Sequence, residues 1–212
     1  DRSLGRPIHN QVLAYAHAAA NFGGAFRWLA CIDADEFLVP VQASSIDTAL
    51  EHLGPEVVNV SLPWHMFGRC GHQDSPAGGV VTNYLQRARN PMQAVNFKCI
   101  VDPCQLRGVR VHTMDTGRPA LTWNDRGEAF PVKQRHKSVF YSAEHLQLNH
   151  YYTRSKEELE QKISRGPNLE AKRQDYRRKV MRTATRIEAH IREDRQAINF
   201  LERAAAVNSV QN

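Results

Sequence analysis

The segment that most constrains the fold is a short apolar run followed at once by acidic residues. Residues 28–32 are apolar at every position, and Asp33-Ala34-Asp35-Glu36 comes directly after them. Such a run is typical of a central strand that is covered on both faces and has an exposed tip. Residues 37–40 are apolar again, so the acids lie between two core segments. The sequence therefore predicts a buried strand with a charged tip.

A helix is expected just before this strand. Apolar residues from Ile8 to Ala20 recur at helical spacing, Pro7 suits the first turn, and Gly23 suits the end. A helix that leads into a buried strand indicates an α/β sheet.

Further elements follow from apolar patterns and turn residues. Ser44 or Ser45 is expected to cap a short helix. Strands are predicted over residues 57–62, 80–85, 96–101, 109–112 and 146–151. The polar residues 115–137 are longer than most structureless loops, about 12–15 residues, and predict a functional or mobile loop.

The last quarter of the chain is expected to be helical. Ser155 and Glu158 have capping-box spacing and Gly166 suits a stop, which predicts a helix over residues 156–165. From residue 169 to 205 there is neither Gly nor Pro, and a long amphipathic helix with at most one break is predicted. Its apolar stripe is Tyr176, Val180, Thr183, Ile187, Ile191, Ile198 and Leu201.

The basic charge of the chain is concentrated in this tail. The net charge is +6, and residues 154–203 hold 14 Lys or Arg and 9 Asp or Glu. No run approaches the roughly 20 apolar residues that span a bilayer. With 42% hydrophobic residues, the 212-residue chain has enough apolar side chains for a sizeable core.

The four cysteines indicate the cellular compartment. They form no Cys-x-x-Cys pair, and three of them lie in apolar runs, where a thiol acts as a small hydrophobe. We expect them to be reduced and structural, and the protein to be cytoplasmic. The basic tail would allow contact with the inner face of the membrane.

The paired acids at the strand tip suggest metal chemistry. In extended backbone, Asp33 and Asp35 point to the same side, and Ala34 puts no bulk between them. Two close carboxylates repel each other, and a hard divalent cation relieves that repulsion. The alternative is a solvated acidic turn.

Four segments, in order, resemble the bacterial family 2-like and family 92-like glycosyltransferases with the GT-A fold. The matching region runs from about residue 11 to 166. The segments are residues 28–40, residues 64–68 with Gly71-His72, residues 98–101 with Pro103, and residues 149–158 continuing to Lys162 and Arg165-Gly166.

The resemblance implies an α/β fold with a Rossmann-like, mixed sheet. Residues 1–166 would form a partial GT-A catalytic domain, and residues 167–212 a basic amphipathic helical tail. Members of these families begin with a βαβ half that holds the nucleotide base and ribose, and we expect that half to be absent from this chain. The implied reaction moves a sugar from a nucleotide-diphosphate donor, most simply a UDP-sugar, to an acceptor hydroxyl of a glycan or another molecule.

The resemblance and the chemistry together suggest site residues. Asp35 would be a direct ligand of Mn²⁺ or Mg²⁺, and Asp33 a second ligand or a ribose and water contact. His150 would be a third ligand, and imidazole favours Mn²⁺; the alternative is a core or capping histidine. Arg154, Lys156 and the backbone N–H groups at the start of their helix would hold the diphosphate.

A transfer that inverts the sugar also needs a general base near the acceptor. His72 and Asp74 lie in a Gly-rich loop that could wrap around a sugar, and either is a candidate catalytic residue. Trp64 and Phe67 would either stack on the sugar or belong to the core. Other acids compete for the role of base, namely Asp102, Asp115 and Glu128. A retaining reaction needs no base, so the stereochemistry stays open.

Two other functions compete with glycosyl transfer. The basic tail suits a binding module for nucleic acid or an anionic membrane, but its acids are interleaved and no nucleic-acid-reading motif accompanies it. A phosphoryl or nucleotidyl transferase would share the paired acids, yet the chain has no P-loop. Lys98 is interpreted as an edge-strand charge, with a phosphate contact as the alternative.

Overall fold

The computed structural model describes residues 10–89, 91, 96–118, 120–167 and 173–210, which form a mixed α/β structure. No helix of these residues is long and apolar enough to cross a membrane. The helices are α1 Asn10–Phe22, α2 Ile46–Leu50, α3 Val80–Asn83, α4 Lys156–Arg165, α5 Arg173–Ala189 and α6 Gln196–Val210. The strands are β1 Leu29–Ala30, β2 Glu36–Pro40, β3 Asn59–Met66, β4 Gln86–Ala88, β5 Phe97–Val101, β6 Leu106–Val109, β7 Met114–Thr116, β8 Leu121–Trp123, β9 Ala129–Pro131, β10 Leu146–His150 and β11 Ile191–Glu193.

The chain divides into two compact units, each built from three separate stretches. The first unit takes residues 1–32, 50–63 and 94–144, and the second takes residues 33–49, 64–93 and 145–212. Strand β3 contributes its first five residues to the first unit and its last three to the second.

The sheet of the first unit is centred on β3 and β5. These two strands are antiparallel, and β5 also pairs antiparallel with β1. Strand β8 pairs with β3 at Val60 and with β9 over its whole length. A core cluster forms where Cys31 and Cys99 pack with Val101 and Met114. Both thiols are buried and free, as the sequence predicted.

One prediction for the first unit is wrong. The run 28–32 is not a central strand, because β1 has only two half-buried residues and β5 is its one partner among the described residues. Residues 115–137, predicted to be a functional or mobile loop, contain the antiparallel pair of β8 and β9. The pair was missed because each strand has only three residues, fewer than the roughly 4–8 residues of a recognisable strand run. The buried Thr122 hydroxyl donates to the Asn59 carbonyl, 3.1 Å away, so this polar side chain is satisfied inside the fold.

Strand β10 is the centre of the second unit. It pairs parallel with the end of β3 and antiparallel with β2, and all five of its residues are buried. Helix α4 follows it with the predicted capping box of Ser155 and Glu158, and ends at Gly166, whose φ is 73°. The predicted helix before β1 and the Ser45 cap of α2 are also confirmed over the described residues.

Residues 80–85 differ from prediction, whereas the tail is helical with one break, as predicted, over the described residues. Residues 80–83 form α3 rather than a strand, and β4 begins only at Gln86. The tail is two helices separated by β11, which pairs antiparallel with β4. Val180 and Ile187 are buried as expected, but Ile191 is 43% exposed because it lies in β11 instead of on a helical stripe. Residues 169–172 of the predicted helix lie outside the described residues.

A buried ion pair fixes the segment after β11 to strand β4. The Arg87 guanidinium donates to Asp194 Oδ2, and their side chains are only 3% and 1% exposed. Gln147 on β10 donates to the same oxygen at 3.2 Å. Burial alone would raise the pKa of Asp194, but the hydrogen bonds from Arg87 and the Gln196 N–H outweigh it, and the pKa lies below its ordinary value.

Replacing this carboxylate should destabilise the protein strongly. Asp194→Asn leaves Arg87 buried without its counter-ion, and we expect the free energy of unfolding at pH 7 to fall by about 3–5 kcal/mol. Because the folded pKa is depressed, the stabilisation is present above the ordinary carboxyl pKa and is lost as the pH falls through the folded value. The free energies of unfolding of the variant and the parent, measured in urea, should therefore become more similar as the pH is lowered.

The matched control is Asp175→Asn. Asp175 pairs with Arg178 at 3.6 Å, but both side chains are more than 80% exposed. Exposed pairs contribute about 0–1 kcal/mol, so this variant should unfold nearly like the parent. Equal losses in the two variants would contradict the role of the buried pair.

Candidate active site

The paired acids lie in a turn that leads into β2. The Glu36 N–H donates to the Asp33 carbonyl at 3.0 Å, which closes a turn through Ala34 and Asp35. The side chain of Glu36 folds back and accepts from the Asp33 N–H at 2.9 Å. The prediction of extended backbone here is wrong, because the chain reverses between the two apolar segments. Asp33 and Asp35 therefore do not share a face by strand alternation.

Strand pairing brings Asp35 to His150. In the antiparallel pair of β2 and β10, His150 is opposite Glu36, so the start of β2 meets the end of β10. The Tyr151 N–H then donates to the Asp35 carbonyl at 2.9 Å. As a result, Asp35 Oδ2 lies 3.4 Å from His150 Nε2. The sequence predicted both residues, and the register of the sheet places them side by side.

Lys162 is a third member of this site, and the site predictions did not include it. Its Nζ lies 3.6 Å from Asp35 Oδ2 and donates to the Tyr152 carbonyl at 3.0 Å. The ammonium also lies 3.7 Å from the centre of the Tyr152 ring. The capping box in the sequence could have indicated Lys162, because it fixes the start of a helix just beyond His150. Lys162 is two helical turns after Ser155 on that helix.

Burial and nearby charges leave both central groups deprotonated at neutral pH. Burial alone would raise the pKa of Asp35, but the contacts with His150 and Lys162 outweigh it and hold the pKa at about 2. Burial dominates at His150 and lowers its pKa, although Asp35 acts in the other direction. At neutral pH the carboxyl is ionised and the imidazole is neutral, and these are the forms that bind metal ions.

The His150 ring is enclosed by aromatic side chains. Trp64 lies 4.3 Å away and Tyr152 5.4 Å away, measured between ring centres. Nε2 is the nitrogen that faces Asp35, whereas Nδ1 is buried and has no hydrogen-bond partner in the described residues. Of the two predicted stacking residues, Trp64 is half-buried in this ring cluster, and Phe67 is 1% exposed and belongs to the core.

A complete metal cage is not preformed. Within the ranges that the structure describes, no three His, Cys, Asp or Glu side chains are grouped closely enough to hold a metal ion. Asp33 is close enough to influence the pKa of His150, but it does not form a preformed set of three ligands with Asp35 and His150. A metal ion bound here would have Asp35 and His150 as two of its ligands.

The predicted phosphate-binding residues lie at the start of α4. Arg154 has a φ of 49° and its Nη1 pairs with Glu158 Oε1 at 3.1 Å. The Lys156 and Glu157 N–H groups donate to the carbonyls of residues 72 and 73, and the Glu158 N–H donates to Ser155 Oγ. Because those backbone donors are taken, only the side chains of Arg154 and Lys156 remain for an anion.

The loop after β3 is held against the start of α4 by the same bonds. His72 Nε2 lies 3.1 Å from the Asn83 carbonyl, so Nε2 carries the ring proton and Nδ1 is the acceptor. Asp74 is exposed in the same loop. Both candidate bases belong to the unit that holds Asp35 and His150.

The competing candidates belong to the first unit. Each carboxylate there has a cationic partner: Asp102 pairs with Arg27, Asp115 with Arg110 and Glu128 with Arg126. Lys98 is not an edge-strand charge, because β5 has a neighbour on both sides and the lysine is 1% exposed. Its Nζ lies 3.4 Å from the Tyr15 hydroxyl.

Comparison with known proteins places the chain in a family. The family model described as glycosyltransferase family 92 matches residues 2–191. No curated protein matches the sequence. The matched range includes the turn of Asp33 and Asp35, the strand that ends at His150, and helix α4. Since the match covers most of the 212 residues, the chain belongs to glycosyltransferase family 92.

Proposed function

We propose that this chain transfers a sugar from a nucleoside-diphosphate donor to an acceptor hydroxyl, with a divalent metal ion bound at Asp35 and His150. Membership of family 92 supports glycosyl transfer in general. The observation that carries the metal proposal is the 3.4 Å separation of Asp35 Oδ2 and His150 Nε2 in a partly buried site. The proposal includes the GT-A fold for the chain and UDP as the nucleotide of the donor.

The donor groups fit a metal such as Mn²⁺. An ionised carboxylate and a neutral imidazole are adjacent, and imidazole shifts the preference from Mg²⁺ towards Mn²⁺. Binding through Nε2 moves the ring proton to Nδ1, which has no acceptor among the described residues. Metal-bound histidines usually donate that proton to a partner. We therefore expect His150 to contribute less to affinity than Asp35, with Asp33 and water or donor oxygens completing the site.

The remaining charged groups suit a diphosphate leaving group. A metal ion bound here would offset the negative charge that the departing diphosphate gathers. Lys162 lies beside Asp35, and Arg154 lies just before the same helix, so two cations can bind phosphate oxygens near this site. Arg154 would exchange its present partner Glu158 for the phosphate.

Removing the Asp35 carboxylate should weaken donor binding. We expect Asp35→Asn to lower the affinity for UDP in the presence of Mn²⁺ at least tenfold, about 1.4 kcal/mol, as measured by calorimetry. Asp47→Asn, which removes an exposed acid of the same unit, is the matched control and should bind like the parent. If the parent and Asp35→Asn bind UDP with equal affinity in the presence of Mn²⁺, the proposed metal site at Asp35 is wrong.

The pH dependence of Mn²⁺ binding follows from the pKa of His150. Because burial lowers that pKa, the imidazole stays neutral as the pH falls through the ordinary histidine range near 6.5. Mn²⁺ affinity should thus be nearly constant from about pH 7.5 to about pH 6. A decline of tenfold or more over that range would show that His150 is protonated there and would contradict the assignment.

His72 and Asp74 are the proposed general bases for an inverting reaction. Nδ1 of His72 is the acceptor of its ring, and the Asp74 carboxyl group is exposed in the same loop. Removing the true base should lower kcat by roughly 10²–10⁴-fold while the KM for the donor changes little. Asp74→Asn and His72→Gln should be assayed together, with a Mn²⁺-dependent UDP affinity like that of the parent as the check on folding. If both retain kcat, neither residue is the base.

A further inference from the structure

A groove between α4 and α5 in the second unit is not used by the proposed reaction. Its volume is about 810 Å³, and its apolar lining is Leu159, Ile163 and Met181. A neighbouring cavity of about 380 Å³ shares Leu159 and Met181 with it and continues towards Glu188. From Arg177 to Glu188, α5 extends for about 16 Å, so the groove is long enough for part of an extended chain.

The rim of the groove is strongly basic. Arg69, Lys156, Arg177 and Arg178 line it together with a single acid, Glu160. In the part of the chain that the structure describes, neither Lys156 nor Arg177 has an acidic partner within ion-pair distance, and both are exposed. Arg69 and Arg178 on the same rim are paired with Glu188 and Asp175, so Lys156 and Arg177 are the rim cations without such a partner among the described residues.

Its aliphatic lining favours one kind of ligand. Met181 is 44% exposed and lines the groove beside the buried Leu159. Sugars and nucleic-acid bases bind on flat aromatic faces, whereas the floor here consists of Leu, Ile and Met. An aliphatic floor with a cationic rim is complementary to an acyl chain that carries an anionic headgroup.

We propose that this groove binds an anionic membrane phospholipid, with the acyl chain along Leu159, Ile163 and Met181 and the phosphate at Lys156 and Arg177. The chain would then sit on an anionic bilayer through the face formed by α4 and α5. This binding is separate from catalysis and requires neither metal nor nucleotide.

The test uses the full chain and vesicles, without donor or metal. The parent should co-sediment with phosphatidylcholine vesicles that contain phosphatidylglycerol and not with phosphatidylcholine alone. Arg177→Glu and Met181→Glu should each weaken this partitioning about tenfold, because one reverses the rim charge and the other places a charge on the apolar floor. Both positions are exposed, so the fold should tolerate the changes.

The matched control is Arg186→Glu. Arg186 is exposed on α5 nine residues after Arg177, which places it on the opposite face of the helix. The substitution Arg186→Glu changes the net charge by the same amount as Arg177→Glu. It should partition like the parent. Equal weakening in Arg186→Glu and Arg177→Glu would mean attraction by net charge alone and would overturn the proposal.

Three further outcomes would also overturn it. The first is no binding to anionic vesicles, and the second is equal binding to neutral ones. The third is release of the protein by free glycerol phosphate, which would show an anion site that does not use the acyl chain. Because transferase activity is measured separately, failure of this proposal leaves the catalytic one untouched, and the reverse also holds.

Discussion

The candidate site depends on the register between β2 and β10. Their antiparallel pairing sets His150 opposite Glu36, and the turn before β2 then brings Asp35 against the imidazole. A shift of one residue would turn every side chain of β10 to the other face of the sheet. All five residues of β10 are buried, and its parallel pairing with the end of β3 supports the same register from the other side. Backbone hydrogen bonds thus position a carboxylate and a histidine that are more than a hundred residues apart in the sequence.

Polar groups in the interior support this arrangement. Gln147 and Asn149 belong to β10, and the Gln147 amide donates both to Asn149 and to the buried Asp194. Asp194 in turn accepts from Arg87 on β4. A network of this kind tolerates few alternative packings, because each misplaced member would leave a buried polar group without a partner. The segment after β11 is in this way attached to the strand that ends in the candidate metal ligand.

The charges of the second unit are arranged in two groups with different consequences. Around Asp35 they are compensated and partly buried, so the carboxyl stays ionised while the adjacent imidazole stays neutral. Along the groove between α4 and α5 they are exposed, and Lys156 and Arg177 have no acidic partner among the described residues. Helix α4 connects the two groups, since Lys162 faces Asp35 while Lys156 lies at the groove. One helix thus contributes both to the proposed chemistry and to the proposed membrane surface.

The sequence by itself determined the elements whose signals are local. The capping box of α4 and the strand that ends at His150 were predicted correctly, because capping bonds and apolar runs act over a few residues. Only the tertiary structure decided that β1 pairs with β5 alone among the described strands, that residues 121–123 and 129–131 are β8 and β9, and that β11 interrupts the tail. Those outcomes depend on pairing partners outside each short segment, which supply the backbone hydrogen bonds that a strand needs. The contact of Lys162 with Asp35 has the same origin, since it exists only once α4 packs beside the turn at Asp35.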